Sequence, residues 1–371
     1  GRIRGALSPH APLSSRSGAE EALGRTDTTT RHVQDIGGSN FAMGQPPLLV
    51  LVAVWWVSAI FAVITSKACL SQGLLPLHLC AVQLFAGAVL CRLALVLRQE
   101  PHALNGGASL VHGIAITYSA AFLCTNLAFS LSSTPFVETI KAAEPLSTCL
   151  LAALWLRELE RPAAYLALLP IMLGVGLASH SADGAYRRDA LLATLASNFG
   201  FSARAVLAKR LRLERPQSFC ARSDLVLFYH VNRLGLLFML PVVAIYDAYR
   251  ALAASAVPVE PRTLSAGVLA LMFAANGACF TVYNGASFAV LSCVSANSHA
   301  VLNLLRRVVI ISTTAAVFSI HISVWNAAGI AVALIGGLLY AQVKQAETTS
   351  GRLLDMMALS TPARLDKLRL V

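Results

Sequence analysis

Long apolar runs and short polar joints alternate along this chain. From residue 47 onward, runs of 18–25 residues dominated by Leu, Ala, Val and Phe are separated by brief stretches of Ser, Gly, Pro and charge. The runs show neither the period of two of a half-buried strand nor the single apolar stripe of a surface helix. They are apolar all round, and each is near the 20 residues of helix that cross a bilayer. Ten spans are expected, at approximately 47–69, 75–98, 109–131, 134–156, 163–180, 190–208, 224–246, 265–289, 296–318 and 323–343. The fold class is therefore an all-α membrane protein with ten transmembrane helices.

An internal repeat gives those spans an order. The segment WLRELERPAAYLALLPIMLGVGLAS is similar to VFSIHISVWNAAGIAVALIGGLLYA, about 160 residues later. Both repeats contain glycines (Gly174 and Gly176; Gly329, Gly336 and Gly337), which let helix backbones approach closely in lipid. The joints repeat as well. Spans three and four are separated by Ser132 and Ser133, spans eight and nine by a few residues near Ser295, and each joint precedes a span with an internal cation. An odd number of spans per repeat turns the halves upside down relative to one another, so two inverted five-helix repeats are expected, the architecture of alternating-access carriers. The transporter domain then covers 46–345, with repeat one at about 46–182 and repeat two at about 188–345. Residues 1–45 read as a disordered N-terminal extension and 346–371 as a polar C-terminal tail.

Loop charge sets the orientation. Lys209, Arg210, Arg212, Arg215 and Arg222 follow span six, and Arg157 and Arg161 follow span four. The opposite side holds fewer, Arg187 and Arg188, then Arg250 and Arg262. Both termini are expected on the cytosolic side or its organellar equivalent. The extension has five arginines and many hydroxyls, as a transit peptide does, but Glu20, Glu21, Asp27 and Asp35 go against that pattern. The first residue is Gly rather than Met, which leaves the true start open.

Composition agrees with the pattern. The 371 residues are 56% hydrophobic and 13% charged, against about 25% charged in soluble domains. The net charge of +11 is scattered between apolar runs rather than gathered on one face, so nucleic-acid binding is not expected. The eight cysteines form no CxxC pair and read as small packing residues. No metal cluster, catalytic triad or phosphate loop is visible. Neither a cofactor nor enzymatic activity is expected.

Charge inside the spans is the candidate chemistry. Lys141 lies well inside TPFVETIKAAEPLSTCLLAALW, with Glu138 three residues before it and Glu144 three after. A lysine at a helix centre in lipid costs about 2.5–3.5 kcal/mol on insertion scales. Arg306 and Arg307 stand at the middle of HAVLNLLRRVVIISTTAAVF, and Arg204 lies within span six. Adjacent helical residues point about 100° apart, so the arginine pair cannot face one spot squarely. One reading makes these cations an anion site, with phosphate the best match for a guanidinium fork and an ammonium. The other makes them structural ion pairs, with Glu144 or Glu138 neutralising Lys141 on its own helix. Tyr283, Asn284, Thr125 and Asn126 are further polar candidates, each also readable as a satisfied group inside the bundle. His299, His230 and His180 read as isolated and structural.

Three stretches carry a family resemblance over roughly residues 47–345. TPFVETIKAAEP resembles a TIKALEP signature, GFSARAVLAKR resembles an F-x-x-R…K pattern, and YNGASFAVLSCVSANSHAVLNLLRRVVII resembles a Tyr-Asn opening with a terminal Lys-Arg pair. Together they resemble the plastid phosphate translocators, in the triose-phosphate branch of the drug/metabolite transporter superfamily. The resemblance implies an antiporter that exchanges phosphorylated sugars or three-carbon phosphates for inorganic phosphate. It implies that Lys141, Arg306 and Arg307 hold the phosphate, that Arg204 and Phe201 line the site, and that Tyr283 and Thr125 contact substrate. Two residues depart from the pattern. Arg306 stands where the family has lysine, and Phe122 where triose-phosphate carriers have histidine. Related branches of the superfamily sit in Golgi or endoplasmic reticulum membranes and move nucleotide sugars, which is the alternative function and location. A non-transporting membrane scaffold is a third reading. The expected partners are a small anionic solute, inorganic phosphate and the bilayer, with the protein working as a monomer.

Overall fold

The computed structural model describes residues 47–157, 159–179, 188–253, 264–294 and 296–359. The expected extension at 1–45 with its transit-peptide likeness, the end of the tail, and Arg187, Arg262, His180 and Ser295 lie outside them. Among the described residues all regular structure is helical.

Eight helices are long and apolar enough to cross a membrane. They are α1 (Leu48–Ser71), α2 (Pro76–Leu97), α3 (Ala108–Leu131), α7 (Arg188–Glu214), α9 (Asp224–Ala253), α10 (Ala266–Cys293), α11 (Ala296–Val317) and α12 (Val324–Leu359). A helix satisfies its own backbone groups, as lipid requires. The fifth expected span is the shorter apolar helix α6 (Pro162–Ser179), and a one-turn helix, α8 (Phe219–Arg222), precedes α9. Helix α12 continues past the end expected near 343, because the following residues, KQAE and RLLDMMAL, are good helix formers.

The fourth expected span is not one helix. It is α4 (Thr134–Lys141), then α5 (Glu144–Leu151), then a π turn at Ala152–Leu156. The cause is Pro145, in the first turn of α5. Proline has no N–H for the carbonyl four residues back, that of Lys141, and its ring clashes there. The chain instead tightens, with Ala142 and Ala143 donating to Thr139 and Ile140 at 3.0 Å each. Neighbouring side chains of α7 bond carbonyls on either side of the break. Asn198 Nδ2 donates to Ile140 O at 2.9 Å, and Ser202 Oγ to Glu144 O at 3.3 Å.

The helices pair as α6 with α12, α3 with α7, α1 with α10, α2 with α9, and α4 with α11. Backbones meet most closely where α6 crosses α12. A Cβ on Gly174 would lie 2.3 Å from Ala333 N, and one on Gly329 would lie 2.4 Å from Ala178 N. Gly176, expected to do the same, has open space around it. At the α3–α4 joint, Lys67 Nζ of α1 donates to Phe129 O at 2.6 Å and Ser132 O at 2.8 Å, covering carbonyls that the end of α3 leaves free. The largest apolar core gathers Tyr118, Phe122, Phe201, Phe228 and Phe280 from α3, α7, α9 and α10. It forms one side of the cavity described next.

Candidate functional site: a cationic cavity

A cavity of about 240 Å³ opens among α1, α2, α3, α4, α5, α7, α10 and α11. Its wall includes Lys141, Arg306, Arg307, Arg204, Tyr283, Thr125, Phe201, Glu138 and Glu144, the candidate site and ion-pair residues expected from the sequence. Residues from both halves of the chain meet there.

Lys141 is the last residue of α4, at the break that Pro145 creates. Its Nζ donates to Thr125 Oγ1 at 3.2 Å and lies 5.1 Å from the Phe201 ring centroid. Thr125 is held in turn by Ser197 Oγ at 2.7 Å and by its bond to the Ala121 carbonyl. Neither glutamate pairs with the lysine of its own segment. Both reach across to α11. Arg307 Nη1 donates to Glu138 Oε2 at 2.9 Å, and Arg307 Nη2 to Glu144 Oε2 at 3.4 Å. For Glu144 the break accounts for this, since it begins a different helix and loses the i,i+3 relation to Lys141 that a continuous helix would provide. Arg307 is 5% exposed and Glu138 is 4% exposed, so this is a buried pair.

Arg306, one residue away, has different neighbours. Its Nε and Nη2 donate to Asn303 Oδ1 at 3.2 and 2.8 Å. Its guanidinium lies 5.5 Å from the Trp55 ring and 5.8 Å from the Tyr283 ring. A cation over aromatic faces gains about 0.5–2 kcal/mol and keeps its charge unneutralised. Arg204 is placed similarly, 5.7 Å from the Tyr118 ring and 6.0 Å from Phe201. Its Nε and the hydroxyl of Tyr118 are buried without a hydrogen-bond partner, and such an atom costs about 1–3 kcal/mol while unmet. The lining residues thus include four cations and two carboxylates, a formal charge of +2.

Other wall residues escape a reading of the sequence. Asn303 could have been found from its place three residues before Arg306 on one helical face. Trp55 and Tyr118 sit in apolar runs where nothing marks them. His299, read as isolated, stacks on Trp55 with centroids 4.7 Å apart and meets Ser287 Oγ at 3.1 Å. His230 lies away from the cavity and meets the carbonyl of His102 at 2.9 Å. Within the wall, Gln83 bonds Asn126 at 3.0 Å and, behind it, Asn276 at 3.0 Å, and Asn276 bonds Ser66 at 2.8 Å. This network ties α1, α2, α3 and α10 together. Among the described residues no cluster suited to a metal ion occurs.

A helical bundle of membrane-spanning length, with a cationic chamber inside it, defines a multi-pass membrane protein built to receive an anion. The Triose-phosphate Transporter family model matches residues 47–341, and the chain belongs to that family, a family of transporters. Curated relatives agree. The chain is 29% identical over 304 residues to the phosphoenolpyruvate/phosphate translocator 1, chloroplastic, of Oryza sativa subsp. japonica, covering 80% of this chain and 71% of that one. It is 30% identical over 301 residues to the Arabidopsis thaliana protein of the same name, with the same two shares. It is 27% identical over 333 residues to the xylulose 5-phosphate/phosphate translocator, chloroplastic, of Arabidopsis thaliana, covering 86% and 76%.

Proposed function

We propose that this protein is an antiporter of the plastid envelope that exchanges phosphorylated sugars or three-carbon phosphates for inorganic phosphate by alternating access. The observation that carries the reading is the surplus of positive charge in the cavity. Glu138 and Glu144 are committed to Arg307, which leaves Lys141, Arg306 and Arg204 without a carboxylate. In this reading Lys141, Arg306 and Arg307 hold the phosphate, and Thr125, Tyr283, Phe201 and Arg204 contact the rest of the solute. Glu138 and Glu144 orient Arg307. The relatives named phosphate translocators supply the chemical class, and the chloroplast in their names supplies the compartment.

The charge also accounts for obligatory exchange. Closing the empty cavity away from water buries uncompensated cations, at several kcal/mol each. A phosphate group carries about −1.5 to −2 at pH 7, close to the +2 of the wall. The loaded cavity therefore closes readily and the empty one does not, and return requires another anion. The volume of about 240 Å³ lies below the 300–1,000 Å³ of pockets for drug-sized ligands. That favours a short phosphorylated solute over a nucleotide sugar.

Ten spans in two inverted repeats complete the proposal. What supports them is the symmetry of the helix pairings. With α4, α5 and the π turn counted as span four and α6 as span five, the paired spans are 5·10, 3·6, 1·8, 2·7 and 4·9. Exchanging each span with the one five further on returns the same set. A working monomer is part of the same reading. Proteoliposomes loaded with phosphate test the function. Purified protein should take up labelled phosphate, or a triose phosphate, only when a counter-anion is inside. Equal uptake into empty vesicles would sink the exchange mechanism.

A further inference from the structure

A lysine outside the cavity wall ties two of the wall's helices together. Lys67 is half-buried near the end of α1, and its Nζ donates to Phe129 O at 2.6 Å and to Ser132 O at 2.8 Å. These carbonyls belong to the end of α3 and to the joint before α4, 62 and 65 positions along the chain. An ammonium carries three donors, and the carbonyls at a helix C-terminus carry its partial negative charge. Both acceptors are neutral, so the contact is weaker than a buried ion pair and can be broken and remade as helices move.

The contact lies at one end of the cavity. Val63 and Ser66 of α1 and Phe129 of α3 line the wall there. Leu70, Leu79, Phe136 and Ile140 pack with Phe129 into an apolar cluster drawn from α1, α2, α3 and α4. Cluster and lysine together hold α1 against the α3–α4 joint. The second half of the chain is arranged differently. The backbone of α3 runs close against those of α1 and α2. Five spans on, the counterparts of these three are α10, α7 and α9, and there the described backbones make no comparable approach.

Resting on the alternating-access reading above, we propose that Lys67 is the latch of one gate. Its two bonds hold the cavity closed at the face that carries the α3–α4 joint, and they break when the cavity opens there. Inverted repeats alternate by exchanging the conformations of their halves. At that exchange α3 leaves α1 and α2 as far as α10 now stands from α7 and α9. Lys67 acts on the gate and not on the solute, since it is not part of the cavity wall.

The test is Lys67→Met, which keeps the length of the side chain and removes the ammonium, with Lys67→Arg as the variant that keeps the donors. Each is combined with Val63→Cys and placed in proteoliposomes with phosphate on both sides. A membrane-impermeant maleimide is added at one face or the other, and modification of position 63 is read by mass spectrometry of its own peptide. From the face of the α3–α4 joint, modification should be about tenfold faster in Lys67→Met than with Lys67 intact, the shift expected for one hydrogen bond to a charged group. Lys67→Arg should restore it to within about threefold. From the opposite face Lys67→Met should bring no increase. An equal increase from both faces would make Lys67 a packing residue and overturn the latch, as would an unchanged rate from the joint's face or a failure of arginine to restore it. Phosphate exchange is measured on the same vesicles. Exchange by the protein with Lys67 intact, together with one of those results, overturns the latch alone. No exchange by that protein overturns the carrier reading, and the latch with it.

Discussion

The two sides of the cavity treat neighbouring arginines in opposite ways. On the side of the broken segment, α4 and α5 present Glu138 and Glu144 to Arg307 and neutralise it. On the side of α1 and α10, Arg306 meets Asn303, Trp55 and Tyr283, which hold it in place and leave its charge intact. A buried cation needs a counter-charge or a reason to do without one. Arg307 has the first and joins the two halves of the chain. Arg306, with Lys141, has no carboxylate partner, and in the proposed carrier its counter-charge arrives with the solute. In the carrier proposed above, Arg307 therefore adds stability to its part in holding phosphate, while Arg306 and Lys141 are kept open for the solute.

The comparison can be broken most severely at Glu138. Glu138→Gln leaves Arg307 without its shorter carboxylate bond and should destabilise the protein by about 3–5 kcal/mol. The thermal midpoint in detergent should fall, and a midpoint equal to wild type would show that the pair joins nothing. Arg306→Gln should do the reverse. It keeps the midpoint and lowers phosphate counter-exchange by about a hundredfold, as the loss of a charge-assisted contact does. Lys141→Gln should behave like Arg306→Gln, and brisk exchange by either variant would contradict the division proposed here. Pro145→Ala sharpens the contrast in geometry. It permits a continuous helix through Lys141, should leave stability unchanged or higher, and should slow exchange about tenfold by re-aiming the ammonium. Retained exchange rates would make the break incidental. The smallest effect is expected at Asn303→Ala, which frees the Arg306 guanidinium. The phosphate KM should rise about threefold at constant stability, as for one modest hydrogen bond.

Much of this was legible in the linear chain. Eight of the apolar runs match helices long enough to cross a membrane, and the intramembrane cations stand out because lipid tolerates so few of them. Lys141, Arg204, Arg306 and Arg307 were therefore found by type and place alone. The partners of those cations were not legible in the same way. Glu138 and Glu144 lie three residues either side of Lys141, and local spacing assigns them to it. They belong instead to a residue more than 160 positions away. Pro145 was visible all along, but a proline in the first turn of a new helix and a proline kinking an old one look alike in a string of letters. Trp55 and Tyr118 were hidden for a simpler reason. An aromatic residue in an apolar run carries no mark of whether it faces lipid or a chamber.

The sequence by itself determined that the chain enters a membrane as helices, where eight of those helices lie, and which charges are stranded inside. These follow from local rules: run length against bilayer thickness, and the cost of charge in oil. Only the tertiary structure decided which cation is matched and which is left open. That depends on which helices meet and how far each side chain reaches. Two arginines adjacent in the chain point in different directions on one helix, and what each of them faces is supplied by other parts of the fold.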